Sequence, residues 1–149
     1  KNKQRILSMN DIIFSDNLTA QEFSILRKSV GFPELTQRQA VSCIENTTFL
    51  TAAHSADGQI VGMGRCLFDF GYTAYICDII VHPDFQHRKI GSKIVDSLKK
   101  KTLDCVSDGE KVMFVLVAAK DKENFYKKLG FCLRPNEKLG AGMSVWLGK

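Results

Sequence analysis

Several features that define specialised protein classes are missing from this 149-residue sequence. The five cysteines lie far apart, with no CxxC pair and no zinc-site spacing, which predicts reduced, mostly buried thiols rather than disulfides or a metal centre. No apolar run approaches the length of a membrane span, and the first residues carry no apolar signal core. These absences lead us to expect a cytoplasmic protein with no metal and no membrane partner.

The charge balance is basic but lacks the marks of nucleic-acid binding. The 21 lysines and arginines exceed the 16 acidic residues and give a net charge of +5. That excess suits an anionic ligand, whereas no aromatic-rich basic stripe or base-reading motif accompanies it. The net charge is thus the single feature in favour of a nucleic-acid or acidic-protein partner, and it is not sufficient evidence for one. We therefore expect no nucleic-acid partner. With 44% hydrophobic residues, the length predicts a single globular domain across residues 1–149.

Apolar residues recur with two alternating periods, which predicts a mixed α/β (α+β) fold. Thr19 followed by Glu22 forms a capping box, and Thr36 is a second helix cap. The order of elements predicts strands that pair antiparallel early, with one βαβ crossover later. The predicted helices cover residues 19–30, 36–44, 89–105 and 122–129, and the predicted strands cover 12–14, 48–54, 59–70, 73–81, 111–119, 131–133 and 143–147.

The most informative stretch, residues 80–101, is typical of a strand, a short loop and a helix in direct succession. An apolar run ends at residues 82–83, a polar loop follows, and apolar residues then recur at helical spacing. A helix N-terminus presents unpaired backbone N–H groups and the positive end of the helix dipole, which together bind anions. Basic side chains crowd the same place, so we predict a phosphorylated cofactor there; they belong to His87, Arg88, Lys89 and Lys93.

Two motifs resemble those of the GNAT superfamily of acyl-CoA-dependent N-acyltransferases: QHRKIGS at residues 86–92 and AAKDKENFYKKLGF at residues 118–131. The resemblance extends over residues 48–147. It implies a mostly antiparallel central sheet flanked by helices, with the crossover at the coenzyme site and acetyl-CoA as co-substrate. Where that family has its first loop glycine, this chain has Lys89. Because the Lys89 amide can still donate a hydrogen bond, we expect coenzyme binding to survive.

The same resemblance assigns the coenzyme contacts. It implies that the loop amides hold the pyrophosphate and that the backbone of the preceding strand binds the pantetheine arm. In that strand, the Val81 amide is implied to polarise the thioester carbonyl. Asn124 and Lys128 have an equally good alternative as exposed, solubilising side chains. The implied coenzyme-binding residues are Ile79, Ile80, Val81, Gln86, His87, Arg88, Lys89, Ile90, Gly91, Ser92, Asn124, Tyr126 and Lys128.

Tyr126 is the first candidate for chemistry. When an amine attacks a thioester, the departing thiolate needs a proton or a hydrogen bond, and a tyrosine hydroxyl beside the sulfur supplies it. The resemblance implies that position for Tyr126. The alternative is that Phe125 and Tyr126 form the packing face of a helix.

Asp78 interrupts an apolar run that is predicted to lie at the centre of the sheet, where an unpaired carboxylate is costly. Either it faces the cleft and holds or deprotonates the substrate ammonium, or it forms a structural pair with an arginine, a backbone N–H or a tyrosine. Related enzymes often carry Glu where this chain has Cys77, which leaves the general base open. Tyr75 is a further candidate for the amine side, with a packing role as its alternative.

Together these residues predict a single domain that transfers an acetyl group from acetyl-CoA to a primary amine by direct attack in a ternary complex. No cysteine lies in a nucleophile context with a nearby histidine, which disfavours a covalent acyl-enzyme. The acceptor is expected to be a small amine or a peptide amine, and the protein a monomer or homodimer. A catalytically weak or inactive acyl-CoA-binding module is the alternative, suggested by Lys89 and Cys77.

Overall fold

A computed structural model describes residues 11–147 of the chain. Residues 11–115 form one compact unit and residues 116–147 a second. The first unit contains the sheet and three of the helices. The single-domain prediction concerns how the two units relate to each other, and it stays a prediction.

Five strands form one sheet in the order β1-β2-β3-β4-β5. The first three pairings are antiparallel, while β4 and β5 run parallel. The connection between β4 and β5 contains a helix, so the predicted βαβ crossover is confirmed, as is the mostly antiparallel mixed sheet. The strands are β1 (Ile12–Ser15), β2 (Phe49–Ser55), β3 (Ile60–Phe68), β4 (Thr73–Val81) and β5 (Met113–Val115).

The helices of this unit are α1 (Ala20–Ser29), α2 (Gln37–Glu45) and α3 (Ile90–Leu103). The cap predicted at Thr19 is confirmed, because its hydroxyl accepts from the Glu22 N–H at 3.2 Å while the Glu22 carboxylate accepts from the Thr19 N–H at 2.8 Å. Thr36 caps α2 in the same way. The helices of residues 11–147 are all too short or too polar to span a bilayer.

The helices lie on opposite faces of the sheet. Gly64 faces α3, since a Cβ placed there would meet Ile94 and Leu98. Arg65, its neighbour along β3, points to the other face, where it bonds to the carbonyl of Cys43 in α2. On that second face, α1 and α2 cover a buried apolar core that comprises Leu18, Phe23, Leu26, Ala40, Ala52, Ile60, Met63 and Ile80.

Two glycines of β3 allow α3 to lie close to the sheet. A Cβ on Gly64 would stand 2.5 Å from the Ile94 Cγ2, and a Cβ on Gly62 would stand 3.1 Å from the Ile90 Cγ2. Both distances are shorter than ordinary van der Waals contact. The close approach fixes α3, and therefore the loop that opens it, against β3 and β4.

Near the end of α3, the Lys101 side chain bonds to the sheet side of the helix instead of extending into solvent. Its ammonium donates to the Asp16 carboxylate, to the Leu50 carbonyl and to the Thr51 hydroxyl. Asp16 and Leu50 lie far from α3 in sequence, so only the fold reveals these partners. Lys101 thereby ties the C-terminal half of α3 to β2.

The second unit contains α4 (Glu123–Lys128). Gly130 follows it in the left-handed conformation with φ +89°, which a residue with a side chain adopts less readily. The strands predicted at residues 131–133 and 143–147 are wrong, because neither segment is a strand in the structure, and the strand predicted at 111–119 is reduced to β5. A strand exists only through hydrogen bonds to a neighbouring strand, which an apolar segment alone does not specify.

Candidate active site

The candidate site begins where β4 stops pairing with β5. β4 pairs with β5 over Thr73–Tyr75 only, whereas its pairing with β3 continues as far as Val81 opposite Gly62. The segment Ile79–Val81 therefore lies beyond the β5 pairing along that edge. This arrangement suits a strand whose backbone binds an extended amide-containing ligand, which is the role that the resemblance implies for these residues.

A tight turn connects β4 to the predicted anion loop. Pro83–Phe85 form a single 3₁₀ turn, and the buried Phe85 ring anchors it. The Gln86 side-chain amide donates to the Val81 carbonyl at 3.0 Å. The Gln86 side chain, predicted to contact the coenzyme, thus closes the turn onto the end of β4.

Two non-glycine residues of the loop have a left-handed backbone conformation. The φ angles are +63° at His87 and +60° at Lys89. This conformation costs a non-glycine residue about 1–2 kcal/mol, and such strain collects at functional sites. Lys89 adopts the backbone conformation for which glycine is the usual residue, so its side chain does not prevent the loop from forming.

The same loop leaves the start of α3 open to an anion. Lys89 is the N-cap residue and makes no side-chain cap, and its carbonyl already accepts from the Lys93 N–H at 3.1 Å. The N–H groups of the first turn, Ile90 to Ser92, have no acceptor within the helix. Because they point along the positive end of the helix dipole, they suit a phosphate group.

Two basic side chains that border this loop also contact aromatic rings. The Arg88 guanidinium lies 5.2 Å from the centre of the Phe85 ring, and the Lys93 ammonium lies 5.5 Å from that of Phe14. Ile90 is buried, so any contact with a coenzyme is made by its backbone. The backbone amides and basic side chains of residues 86–92 therefore lie together at the start of α3, as the sequence predicted.

Asp78 shows the second of its two predicted arrangements. Its carboxylate accepts from the Arg27 guanidinium at 2.5 Å and from the Arg65 guanidinium at 2.6 Å and 2.8 Å. Sequence reasoning missed both arginines. A signal was present for Arg65, because β3 and β4 each carry one charge of opposite sign within an apolar run. Arg27 lies 51 residues from Asp78, and no pattern connects them.

The neighbours of Asp78 stay protonated at neutral pH. Burial raises the pKa of the Cys77 thiol to about 11, which makes it a poor nucleophile. Burial also raises the pKa of the half-exposed Tyr75 hydroxyl, with the Cys77 and Asp78 groups acting in the same direction. The structure therefore supports the sequence argument against a covalent acyl-cysteine at this strand.

In the second unit, Tyr126 lies on α4 within an aromatic cluster. Its ring centre is 4.9 Å from that of Phe125 and 5.9 Å from that of Phe131. Burial raises the pKa of the Tyr126 hydroxyl to about 12, so it remains a proton donor. Asn124 and Lys128 are exposed on the same helix. Only the resemblance implies that these three residues meet a coenzyme bound by the loop.

Comparisons with known proteins agree with this geometry. Residues 15–131 match the model of the acetyltransferase (GNAT) family. An uncharacterized N-acetyltransferase of Pyropia yezoensis is 28% identical over 135 residues, which cover 87% of this chain and 75% of that protein. A solved Staphylococcus aureus protein of unknown function is 26% identical with a TM-score of 0.79, covering 91% of this chain and 99% of that one.

More distant structures show the fold alone. Glucosamine-6-phosphate N-acetyltransferase from Arabidopsis thaliana is 16% identical, with a TM-score of 0.62 over 93% of this chain and 97% of that one. The open, mostly antiparallel sheet with one βαβ crossover matches the fold of these solved acetyltransferases. This chain belongs to the GNAT acetyltransferase family. Within residues 11–147, no three His, Cys, Asp or Glu side chains converge to hold a metal ion.

Proposed function

We propose that this chain is an N-acetyltransferase that moves an acetyl group from acetyl-CoA to a primary amine by direct attack in a ternary complex. The observation that carries the proposal is the start of α3 at Ile90, which has no side-chain cap, follows the left-handed residues His87 and Lys89, and comes after the end of β4 that does not pair with β5. Family membership supports the same activity. The acceptor class that we propose is a small amine or a peptide amine.

Acetyl-CoA supplies the activated thioester, and the protein holds and orients it. The amides from Lys89 to Ser92 are proposed to bind the pyrophosphate. The backbone of Ile79–Val81 is proposed to bind the pantetheine arm, with the Val81 amide directed at the thioester oxygen. Tyr126 is proposed to give its proton to the leaving sulfur. With its carboxylate held by two arginines, Asp78 is proposed to shape the strand rather than to accept a proton.

The proposal is tested by incubating the protein with acetyl-CoA and a panel of primary amines. Acetylated products should be followed by mass spectrometry, because the exposed thiols of Cys105 and Cys132 react with thiol reagents and add to the signal from released coenzyme A. Titration calorimetry should show acetyl-CoA binding with a dissociation constant of roughly micromolar order. The absence of both binding and product would overturn the proposed function.

The alternative is a module that binds acyl-CoA without turnover. Lys89 in place of glycine and Cys77 in place of an acidic residue favour it. The same two measurements separate the candidates, because this module would bind acetyl-CoA and acetylate none of the amines.

The free thiols also support a proposal about location. All five cysteines are unpaired, and the structure buries Cys66. Such thiols persist in a reducing compartment. We therefore propose the cytoplasm as the compartment in which the enzyme acts.

A further inference from the structure

A buried cluster of three charged residues connects three elements of the first unit. Asp78 on β4 uses one carboxylate oxygen for Arg27 of α1 and the other for Arg65 of β3. The side chains of Arg27, Asp78 and Arg65 are 13%, 9% and 11% exposed. Charge-assisted hydrogen bonds of this kind fix geometry strongly when they are shielded from water. The carboxylate therefore holds α1 and β3 to one point of β4.

That point is a bulge in the strand. Met63 pairs with Ile80 and Arg65 pairs with Cys77, so two β4 residues lie opposite Gly64 alone. One of the two is Asp78, whose φ is +49°. A bulge with a non-glycine residue in this conformation persists only when its surroundings hold it in place.

The bulge is held from both faces of the sheet. On the α1 face, Arg27 and Arg65 bind the Asp78 carboxylate. On the α3 face, the Ile79 side chain extends over Gly64, where a Cβ would stand 2.5 Å from its Cδ1. Because the extra residue changes which groups of the strand face each side, the bulge determines how the backbone of Ile80 and Val81 is aimed. Those residues belong to the proposed thioester-binding segment.

Arg27 has a second contact on the loop between α1 and α2. Its other guanidinium nitrogen donates to the Pro33 carbonyl at 3.0 Å. The guanidinium also lies 5.5 Å from the centre of the Phe23 ring and 5.4 Å from that of Phe32. A cavity of about 230 Å³ opens beside it, between α1 and this loop. One side chain thus joins the bulge of β4 to the loop that lines this cavity, which is where the acceptor binds in our proposal.

We propose that Arg27 is a positioning residue that couples the α1–α2 loop to the β4 bulge and so aligns the acceptor amine with the thioester. The inference rests on the proposed acetyl transfer. Both terminal nitrogens of Arg27 bond to the protein, so we infer that its loss affects the amine side of the reaction through the α1–α2 loop and the β4 bulge. The amides that bind the pyrophosphate belong to a different segment, at the start of α3.

The test compares Arg27→Gln, Arg27→Lys and a charge-matched control, Lys100→Gln, because the Lys100 ammonium pairs with Asp104 at the exposed end of α3. Lysine keeps the charge but has a single nitrogen, so it holds Asp78 or the Pro33 carbonyl, not both in the geometry of arginine. Kinetics with the best amine of the panel, acetyl-CoA affinity and melting temperature should be measured well below the lowest melting point.

We expect Arg27→Gln to lower kcat/KM for the amine by roughly 10- to 100-fold, with acetyl-CoA affinity changed less than about threefold. Arg27→Lys should recover part of the loss, and Lys100→Gln should match the parent. A lower melting temperature with parental amine kinetics would overturn the proposal, because Arg27 would then only stabilise the fold. An equal loss of acetyl-CoA affinity would also overturn it.

Hydrogen exchange keeps the inference testable apart from activity. In the Arg27 variants, we expect faster amide exchange both in residues 31–35 and in residues 77–81, while the Lys100→Gln variant stays unchanged. If Arg27→Gln does not fold, Arg27→Lys provides the same comparison. Faster exchange in one segment alone would refute the coupling. If the parent protein shows no acetylation activity, the proposed function is wrong. Faster exchange in both segments of the Arg27 variants would then still show that Arg27 links the α1–α2 loop to β4.

Discussion

The side chain of Ile79 fills the space in which a side chain on Gly64 would have to lie. A Cβ at Gly64 would stand 2.5 Å from both the Ile79 Cδ1 and the Ile94 Cγ2, and 3.1 Å from the Leu98 Cδ1. Two neighbours on different elements would have to move together. The bulge of β4 and the close approach of α3 therefore depend on the same missing side chain.

Gly64→Ala should accordingly destabilise the protein by about 1–3 kcal/mol, the usual cost of overpacking a core. Gly62→Ala is the matched control, because its Cβ would meet side chains at 3.1 Å and requires smaller shifts. Urea unfolding of both variants measures the difference. Equal stability of Gly64→Ala and the parent would show that the α3 contact is loose.

Replacing Lys89 with glycine should relieve backbone strain. Its φ of +60° costs a residue with a side chain about 1–2 kcal/mol, part of which is offset by the greater freedom of glycine in the unfolded chain. We expect Lys89→Gly to leave the free energy of unfolding unchanged or to raise it by up to about 1 kcal/mol.

The same substitution in a helix interior should do the opposite. Lys100 lies within α3, so Lys100→Gly should lower the free energy of unfolding by about 1 kcal/mol. Thermal and urea unfolding of the two variants provide the comparison. A loss at position 89 as large as that at position 100 would mean that the Lys89 side chain stabilises the loop.

Gly91→Asp should abolish measurable acetyl-CoA binding. Gly91 lies in the first turn of α3, where an aspartate favours the helix but places a negative charge among the amides proposed to bind pyrophosphate. Gly91→Ala adds a Cβ without charge and separates crowding from repulsion. Calorimetric titration measures both. A folded Gly91→Asp variant with parental affinity would refute the pyrophosphate site.

Tyr126→Phe should lower kcat by roughly 10- to 1,000-fold with little change in acetyl-CoA affinity, because a proton donor acts mainly in the transition state. Tyr72→Phe, at an exposed position of the first unit, is the control. With a pKa of about 12, the Tyr126 hydroxyl should cause no alkaline decline in kcat within the usual assay range. Equal turnover in Tyr126→Phe and the parent would leave the hydroxyl with a packing role.

The raised pKa of Tyr126 also has a consequence for stability. Burial favours the neutral hydroxyl in the folded state, so its stabilising contribution is complete below the ordinary value of 10.0 and is lost as pH rises from there towards about 12. The alkaline loss of stability should therefore be smaller in Tyr126→Phe than in the parent. Urea unfolding at neutral and alkaline pH measures it, and an identical loss in both proteins would contradict the burial of the hydroxyl.

Asp78→Asn should lower the free energy of unfolding by about 3–5 kcal/mol, since it leaves two buried guanidinium groups without their counter-ion. Asp104→Asn removes an exposed pair with Lys100 and should cost less than about 1 kcal/mol. Chemical unfolding distinguishes them. A parental stability for Asp78→Asn with a large kinetic defect would restore the catalytic interpretation of this carboxylate.

Local patterns carried most of the fold prediction, and the site shows where they stop. The capping pair Thr19 and Glu22 was visible because its partners lie three residues apart. The loop from residue 86 to residue 92 was visible because a strand and a helix border it directly. Arg27 was invisible, because its contact with Asp78 joins two segments that only the packing of α1 on the sheet brings together. The strand segments expected near the C-terminus failed for a related reason, since apolar alternation does not name a partner strand.

The sequence by itself determined the two helix caps, the succession of strand, loop and helix at residues 80–101 and the family motifs, because each of these depends on residues close to one another in the chain. Only the tertiary structure decided that Asp78 lies in a bulge between two arginines and that Ile79 lies over Gly64. The physical reason is that the cost of a buried charge or of a strained backbone depends on what lies opposite it. That neighbour is set by the register of strands and the packing of helices, which no local pattern contains.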